Sequence, residues 1–300
     1  MKLHQLRALV AAARAGSIHE AARSLHLTQP AVTRAIRDLE DELGLTLVVR
    51  TSTGVSLTGE GRAMLRHAEL VVHEVTRTEE EMARLRGSQL GRVSIGVTPL
   101  ASSTVLPLAY QRFREAMPDV QLDFAEFSPA QLADQLKNGA LDFALGSSMD
   151  PRDFTSLRLE LLATFPMWFA VSRHGPLSGA STLAQLQDAE WLHTGQKEEF
   201  LALLSQLFGR AGLAPPRRIT RCASQTLFYG LAVNGDVVTS WTELALHGAR
   251  ESHDLLPLHL LERPPARKLY LLYRESAVLT APAGYFVHCI KTAVRQQQSG

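Results

Sequence analysis

The 300 residues carry Lys+Arg 31 against Asp+Glu 30, a net charge of +1, with 45% hydrophobic and 20% charged residues. At about 150 residues per domain this length suits two cores of ordinary size, and the even charge balance means that any surface for a polyanion has to be local. Cys222 and Cys289 are too few for a secreted disulfide scaffold and fit no zinc-ligand spacing, while no apolar run approaches the roughly 18 residues of a membrane-spanning helix; a reduced, cytoplasmic setting is expected.

The opening MKLHQLRALVAAARAGS resembles an export signal in outline, but its apolar part, Ala8 to Ala13, is cut off by Arg14, short of the about 7 residues a secretory core needs. It reads better as a first helix, with Leu3, Leu6, Leu9, Val10 and Ala13 at helical spacing and Gly16 as its stop. Ser17 and Glu20 predict a capping box opening a second helix, Ile18 to Leu25, in which Ala21 and Ala22 are small enough for another helix to cross closely. After the turn His26-Leu27-Thr28, Thr28 is expected to cap a third helix with Pro30 in its first turn and Val32, Ile36 and Leu39 as its buried stripe. This is the helix-turn-helix pattern.

The exposed face of the third helix carries the functional signal. Gln29 can pair with adenine, Arg34 and Arg37 with guanine or phosphate, and Thr33 can bond a base edge or touch a thymine methyl. From Met1 to Arg37 the basic residues Lys2, Arg7, Arg14, Arg23, Arg34 and Arg37 face only Glu20, while Asp38, Glu40, Asp41 and Glu42 are held back to the far end of the helix, away from phosphates. Leu45, Leu47 and Val49 then alternate as a strand. Arg50-Thr51-Ser52-Thr53-Gly54 is a polar turn and Val55 to Leu57 a returning strand, a hairpin wing whose Arg50, Thr51 and Ser52 are placed to hold phosphates.

From Thr58 to about Arg86 a long helix is expected. Met64, Ala68, Val71, Val75, Thr78, Met82 and Leu85 follow steps of four and three, the seam of a helix that packs on a partner helix, with a second copy favoured and docking onto its own chain the alternative. Arg77 with Glu81 and Glu80 with Arg84 are expected to pair four apart, His67 and His73 to be exposed, and Leu-Arg-Gly-Ser, ending at Ser88, to hinge.

Beyond it, strands and helices alternate. Val93 to Val97 is followed by a helix to about Met117, then by the strand Val120 to Phe127. A capping box at Ser128-Pro129-Ala130-Gln131 opens a helix through Lys137, and Leu141 to Leu145 is the next strand. A second set contains the strands Met167 to Val171, Trp191 to His193, Ile219 to Ala223 and Val237 to Ser240. Its helices lie around Leu183 to Gln187, at Glu198 to Ala211, at Gln225 to Val233 and from Trp241 onward. The strand Leu269 to Tyr273 and a helix Ala283 to Val294 close the chain. The alternation predicts two α/β lobes with parallel sheets and a cleft at the carboxyl ends of strands.

The run AARSLHLTQPAVTRAIRDLEDELGLTLVVRTSTGVSLTGEG closely resembles the winged helix-turn-helix of LysR-type transcriptional regulators, and the rest has that family's order and lengths. Gln29, Pro30, Thr33 and Arg34 match its reading positions, with Thr28 a further DNA-binding candidate directly before them; Thr33 stands where serine is commoner and Val48 where phenylalanine is common. The resemblance implies an α/β architecture: a winged helix-turn-helix over 1–58, a linker and dimerisation helix over 59–87, and a two-lobed, periplasmic-binding-protein-like effector domain over 88–300. In it lobe one is about 91–163 plus 268–300, and lobe two is 164–267. It further implies double-stranded DNA, RNA polymerase and a second copy as partners, often in a tetramer, and a small-molecule effector between the lobes.

For that effector the candidate residues are Thr98, Ser102, Ser103, Ser128 and Ser147 in lobe one and Thr194, Gln225 and Thr226 in lobe two. These hydroxyls and amides cluster at strand ends and helix starts and as a group suit a small organic acid with an apolar body, while capping its own helix is the alternative role of each one singly. Phe127, Phe165 and Trp241 are candidate aromatic walls, with core packing the favoured role of each. Other chemistry is weak: no HExxH, P-loop, nucleophile elbow or glycine-rich cradle occurs, so no metal, cofactor or catalytic group is expected, and both cysteines read as buried thiols. A solute-binding protein and an α/β enzyme with a DNA-binding appendage are the rival readings. The basic reading helix opposes the first, and the missing catalytic constellation the second.

Overall fold

A computed structural model describes residues 1–51, 54–86, 91–148, 151–195, 197–243, 245–246 and 254–299. Helix α1 (Leu3–Ala15) stops where Gly16 turns left-handed at φ 61, a conformation that costs glycine nothing. Ser17 accepts the Glu20 amide proton at the start of α2 (Ile18–Ser24). Glu20 turns its carboxylate to Arg23, 3.3 Å away, in place of the reciprocal bond expected to Ser17. Helix α3 (Gln29–Leu43) has Thr28 at its cap position, but the hydroxyl makes no capping bond. Ala8, Ala12, Ala21, Ala22, Val32, Ala35 and Ile36 form the joint core of the three helices. Side chains this small let α2 and α3 approach closely.

The wing is the antiparallel pair β1 (Val48–Thr51) and β2 (Gly54–Leu57). It is tied back twice, by the Val55 amide on the Gly16 carbonyl at 2.8 Å and by Glu40, which accepts from the Leu47 and Val48 amides at 2.7 and 3.0 Å. Glu40 therefore anchors the wing; charge alone had suggested only that it faces away from phosphates. Helix α4 (Gly59–Leu85) is capped by Thr58, which accepts from Gly61. Its first half lies on α1, with Ala68 fully covered by Leu6, Leu9, Val10, Leu39 and Leu47 and with Met64 packed at the edge. Those two seam positions are thus filled by their own chain, whereas Val71, Met82 and Leu85 stay exposed and Val75 is half-buried. The pairs expected four apart form three apart instead, Arg77 with Glu74 and Arg84 with Glu81 at 3.2 and 3.1 Å, and Arg77 also reaches across to Asp142 of the first lobe. Gly87 and Ser88 of the expected hinge lie outside the described residues.

Two five-stranded sheets follow. The first has the order β4 (Gln121–Glu126), β3 (Arg92–Val97), β5 (Phe143–Ser148), β12 (Arg267–Arg274), β6 (Leu157–Phe165). The second runs β11 (Leu255–Pro257), β7 (Met167–Ser172), β10 (Val237–Thr242), β8 (Glu190–His193), β9 (Arg218–Arg221). Both are mixed, a correction to the parallel sheets expected. β3 runs parallel to β4 and β5, but β12 is antiparallel to β5 and β6, and β7 is antiparallel to β10 and β11. The reason is the double crossing. The chain leaves the first sheet along β6, turns at Pro166 into β7, and returns past Pro264-Pro265 into β12, so strands on the two crossings run against their neighbours.

Helices α5 (Pro99–Ser103) and α6 (Leu106–Ala116) replace the single helix expected after β3. With α10 (Ala281–Ser299) they cover one face of the first sheet, where Phe286 meets Phe113 edge-on at 4.9 Å. Helix α7 (Pro129–Lys137), opened by the expected capping box, covers the other. In the second sheet the core gathers around Trp191, Phe169 and Phe208 beneath α8 (Lys197–Arg210), with α9 (Gln225–Asn234) on the opposite side. The segment Leu183–Leu186 is a 3-10 turn, not a full helix, and Trp241 belongs to β10, not to the start of a helix. Among the described residues, no helix is long and apolar enough to cross a membrane.

Candidate functional site

Three surfaces carry the residues singled out by their chemistry. On the first, α3 presents Gln29, Pro30, Arg34 and Arg37 to solvent beside exposed Thr28, with Thr33 half-buried. The Arg34 side chain is 85% exposed, and its contact with Asp38 is long at 4.0 Å. Gln29 Nε2 lies 2.6 Å from His19 Nδ1 of α2, so a histidine that no sequence pattern marks joins the exposed face of α3. Thr51 stands exposed on the wing; Ser52 and the side chain of Arg50 lie outside the described residues.

The second surface is a cavity of about 320 Å³ between the two sheets. Its walls include Ser102, Ser147, Thr194 and Gln225 from the expected set, and Trp241 as an aromatic wall. The other expected residues serve elsewhere. Thr98 is buried beneath the cavity and donates to Ser147 Oγ at 3.1 Å while accepting from the Ser147 amide at 3.0 Å, so it orients a wall residue without reaching the space. Ser128 is consumed by its own cap with Gln131. Phe127 packs beside Leu132 and Phe154, and Phe165 belongs to the main core of the first lobe. Thr226 is exposed outside the lining, and nothing is described of the Ser103 side chain.

Sequence reasoning missed His193, Glu126, Glu199 and Arg267, which also line the cavity. His193 is 4% exposed, stacks on Phe200 with ring centroids 4.5 Å apart, and has no hydrogen-bond partner at either nitrogen. Burial, reinforced by Arg221 and Lys197, pushes its pKa below the ordinary histidine value. The only available signal was its place at the end of a strand, which Thr194 shares.

The third surface joins α1, α4 and the first lobe around a polar cavity of about 280 Å³. Arg77 of α4 reaches Asp142 at 3.0 Å and donates to the Leu141 carbonyl at 2.9 Å, with side chains only 14% and 7% exposed. Asp142 also accepts the Ser94 amide proton at 2.7 Å, and Glu74 binds both Arg77 and Arg274. Burial lifts the Asp142 carboxyl above its usual range despite Arg77 and that amide. His73 is half-buried, not exposed as expected, 3.2 Å from Arg14, and burial followed by the Arg14 charge lowers its pKa. An aspartate between Leu141 and Phe143 was the legible clue, since a carboxylate inside an apolar strand needs a partner.

Comparison with known proteins decides the lineage. The family model described as LysR substrate binding domain matches residues 86–295, and that of the bacterial regulatory helix-turn-helix protein, lysR family, matches residues 3–62. The chain belongs to the LysR family. It is 30% identical over 226 residues to the HTH-type transcriptional regulator TdcA of Escherichia coli, covering 75% of this chain and 72% of that one. It is 30% identical over 284 residues to the hydrogen peroxide-inducible genes activator of Haemophilus influenzae, covering 93% and 92%. Among solved structures, ArgP from Mycobacterium tuberculosis superposes with a TM-score of 0.73 at 22% identity, over 97% of this chain and 96% of that one. Full-length CbnR in complex with its target DNA superposes with 0.67 at 22%, over 98% and 100%. This LysR-family chain is therefore a transcriptional regulator with a helix-turn-helix DNA-binding head and an effector-binding domain.

Proposed function

We propose that a small organic acid bound between the lobes switches the chain's hold on DNA, and that the signal leaves the cleft along β5. One observation carries this reading: Ser147 near one end of β5 lines the cleft, while Asp142, immediately before the other end, grips Arg77 of the linker helix. Five residues of strand, roughly 16 Å, connect the two. Closure of the lobes on a ligand would bear on β5 and so on α4, whose first half carries the reading head. The ligand has to bind the two arrangements with different affinity, since otherwise nothing shifts.

In this proposal Gln29, Thr33, Arg34 and Arg37 read the major groove, Thr28 and Pro30 set the entry of α3, and Arg50, Thr51 and Ser52 hold the flanking backbone. The exposed Val71, Met82 and Leu85, continued by Val75, form the face that pairs with a second copy, and two such dimers make a tetramer. The assembly acts in the cytoplasm, beside DNA and RNA polymerase, without catalysis, metal or cofactor; the relatives' names as regulators and the absence of a catalytic motif in the sequence support that part. The test is retention of the purified full chain on fragments of its own genome against random competitor, at rising salt. Selective binding that weakens steeply with salt is expected, and failure to discriminate any fragment overturns the reading.

A further inference from the structure

The cleft lining is polar in a specific way. Among the described residues its ionisable groups are Glu126, Glu199, Arg267 and His193, two carboxylates against one guanidinium, with the imidazole held neutral by burial. A ligand bearing only carboxylate would enter a field that is net negative. His193 adds a second condition. A neutral imidazole has one N–H donor and one lone-pair acceptor; here both nitrogens lack partners in a side chain 96% removed from solvent, with the ring clamped flat on Phe200. Buried polar atoms left unpaired are costly, so a ligand that brings a hydrogen-bonding group to either nitrogen gains from it. Met167, Phe200, Leu203, Phe228 and Trp241 supply apolar wall.

We infer that the cleft takes an amino acid, a ligand whose ammonium and carboxylate sit on one apolar body. The inference rests on the reading of the cleft as the effector site and narrows the organic acid proposed there. The ammonium lies toward Glu126 and Glu199 and the carboxylate toward Arg267, and one of the two pairs with a nitrogen of His193. The sheet order separates the charges: Glu126 ends β4 and Arg267 begins β12, three strands apart, or roughly 14 Å between backbones, far enough for one small molecule to lie between.

The experiment is thermal-shift titration of the full chain with the proteinogenic L-amino acids. Each is run beside its decarboxylated amine and beside the 2-hydroxy acid in which hydroxyl replaces ammonium. At least one amino acid is expected to raise the melting temperature, with its amine and hydroxy acid binding at least about tenfold more weakly by calorimetry. His193→Phe, which keeps the stack on Phe200, loses that affinity, and His193→Asn, which keeps a donor and an acceptor, retains more of it. Glu126→Gln, at an exposed position, narrows the gap between amino acid and hydroxy acid. A hydroxy acid or amine that binds as tightly as its amino acid overturns the inference and leaves the effector cleft standing. Silence from all three classes overturns both.

Discussion

Replacing Arg77 by methionine tests the joint between the linker helix and the first lobe. The substitution keeps the aliphatic stem but removes the guanidinium that faces Asp142 at 3.0 Å and the Leu141 carbonyl at 2.9 Å. Asp142 then stays buried with only the Ser94 amide at 2.7 Å to hold its charge. Breaking a buried pair costs about 3–5 kcal/mol. The Ser94 bond survives and the Glu74 partner is 41% exposed, so the low end, about 3 kcal/mol, is expected here. Adding Asp142→Asn removes the stranded charge while keeping an acceptor for Ser94, and the double variant should recover to within about 1 kcal/mol of the parent because two desolvation costs disappear together. The assay is urea unfolding followed by far-ultraviolet circular dichroism. Tryptophan emission is unsuitable, since Trp168, Trp191 and Trp241 all lie in the second sheet, away from the joint. A single-variant loss below about 1 kcal/mol, or strictly additive losses in the double variant, would show that water screens the pair and that α4 is not gripped there.

Arg34→Ala should weaken binding to a selected DNA fragment by about 1–3 kcal/mol, read by fluorescence anisotropy; its side chain is 85% exposed, so the melting temperature should not move, and unchanged affinity would remove Arg34 from the reading face. Val71→Glu with Met82→Glu puts like charge on the exposed stripe of α4 and should halve the mass of the assembly in sedimentation, a tetramer falling to dimers, whereas an unaltered assembly would place the pairing face elsewhere. Gly61→Ala drives a Cβ into the Leu47 backbone carbonyl and should unfold the wing and abolish DNA binding, while Gly59→Ala, with open space around it, should do neither. His73 and His193 both have pKa values below 6.5 in the folded chain, so under pH 6.5 the unfolded chain takes up protons that the native one refuses. Stability from these two groups is therefore complete above 6.5 and falls as the pH drops toward their native values; melting temperatures on the acid side that do not recover in part in His193→Asn would contradict the burial of that ring.

The reading head was legible residue by residue because its information is local. Helix stops, caps, the Ala21-Ala22 crossing and the exposed basic face of α3 all lie within a few positions of one another, and helical periodicity alone sorts buried from exposed. The cleft was half legible. Ser102, Ser147, Thr194 and Gln225 were found because strand ends point to an open sheet's crevice, but Thr98 and Ser128 carry the same local signature and were spent on structural bonds. What assigned His193, Glu126 and Arg267 to one space, and Arg77 to Asp142, is contact between segments far apart in the chain, where no periodicity operates. The mixed sheets have the same origin: strand direction follows from which strand lies beside which after a double crossing, and neither spacing nor composition encodes that neighbour. Likewise the seam of α4 displays one continuous apolar stripe in sequence, and only the docking of α1 divides it into a half that is already covered and a half still open to a partner.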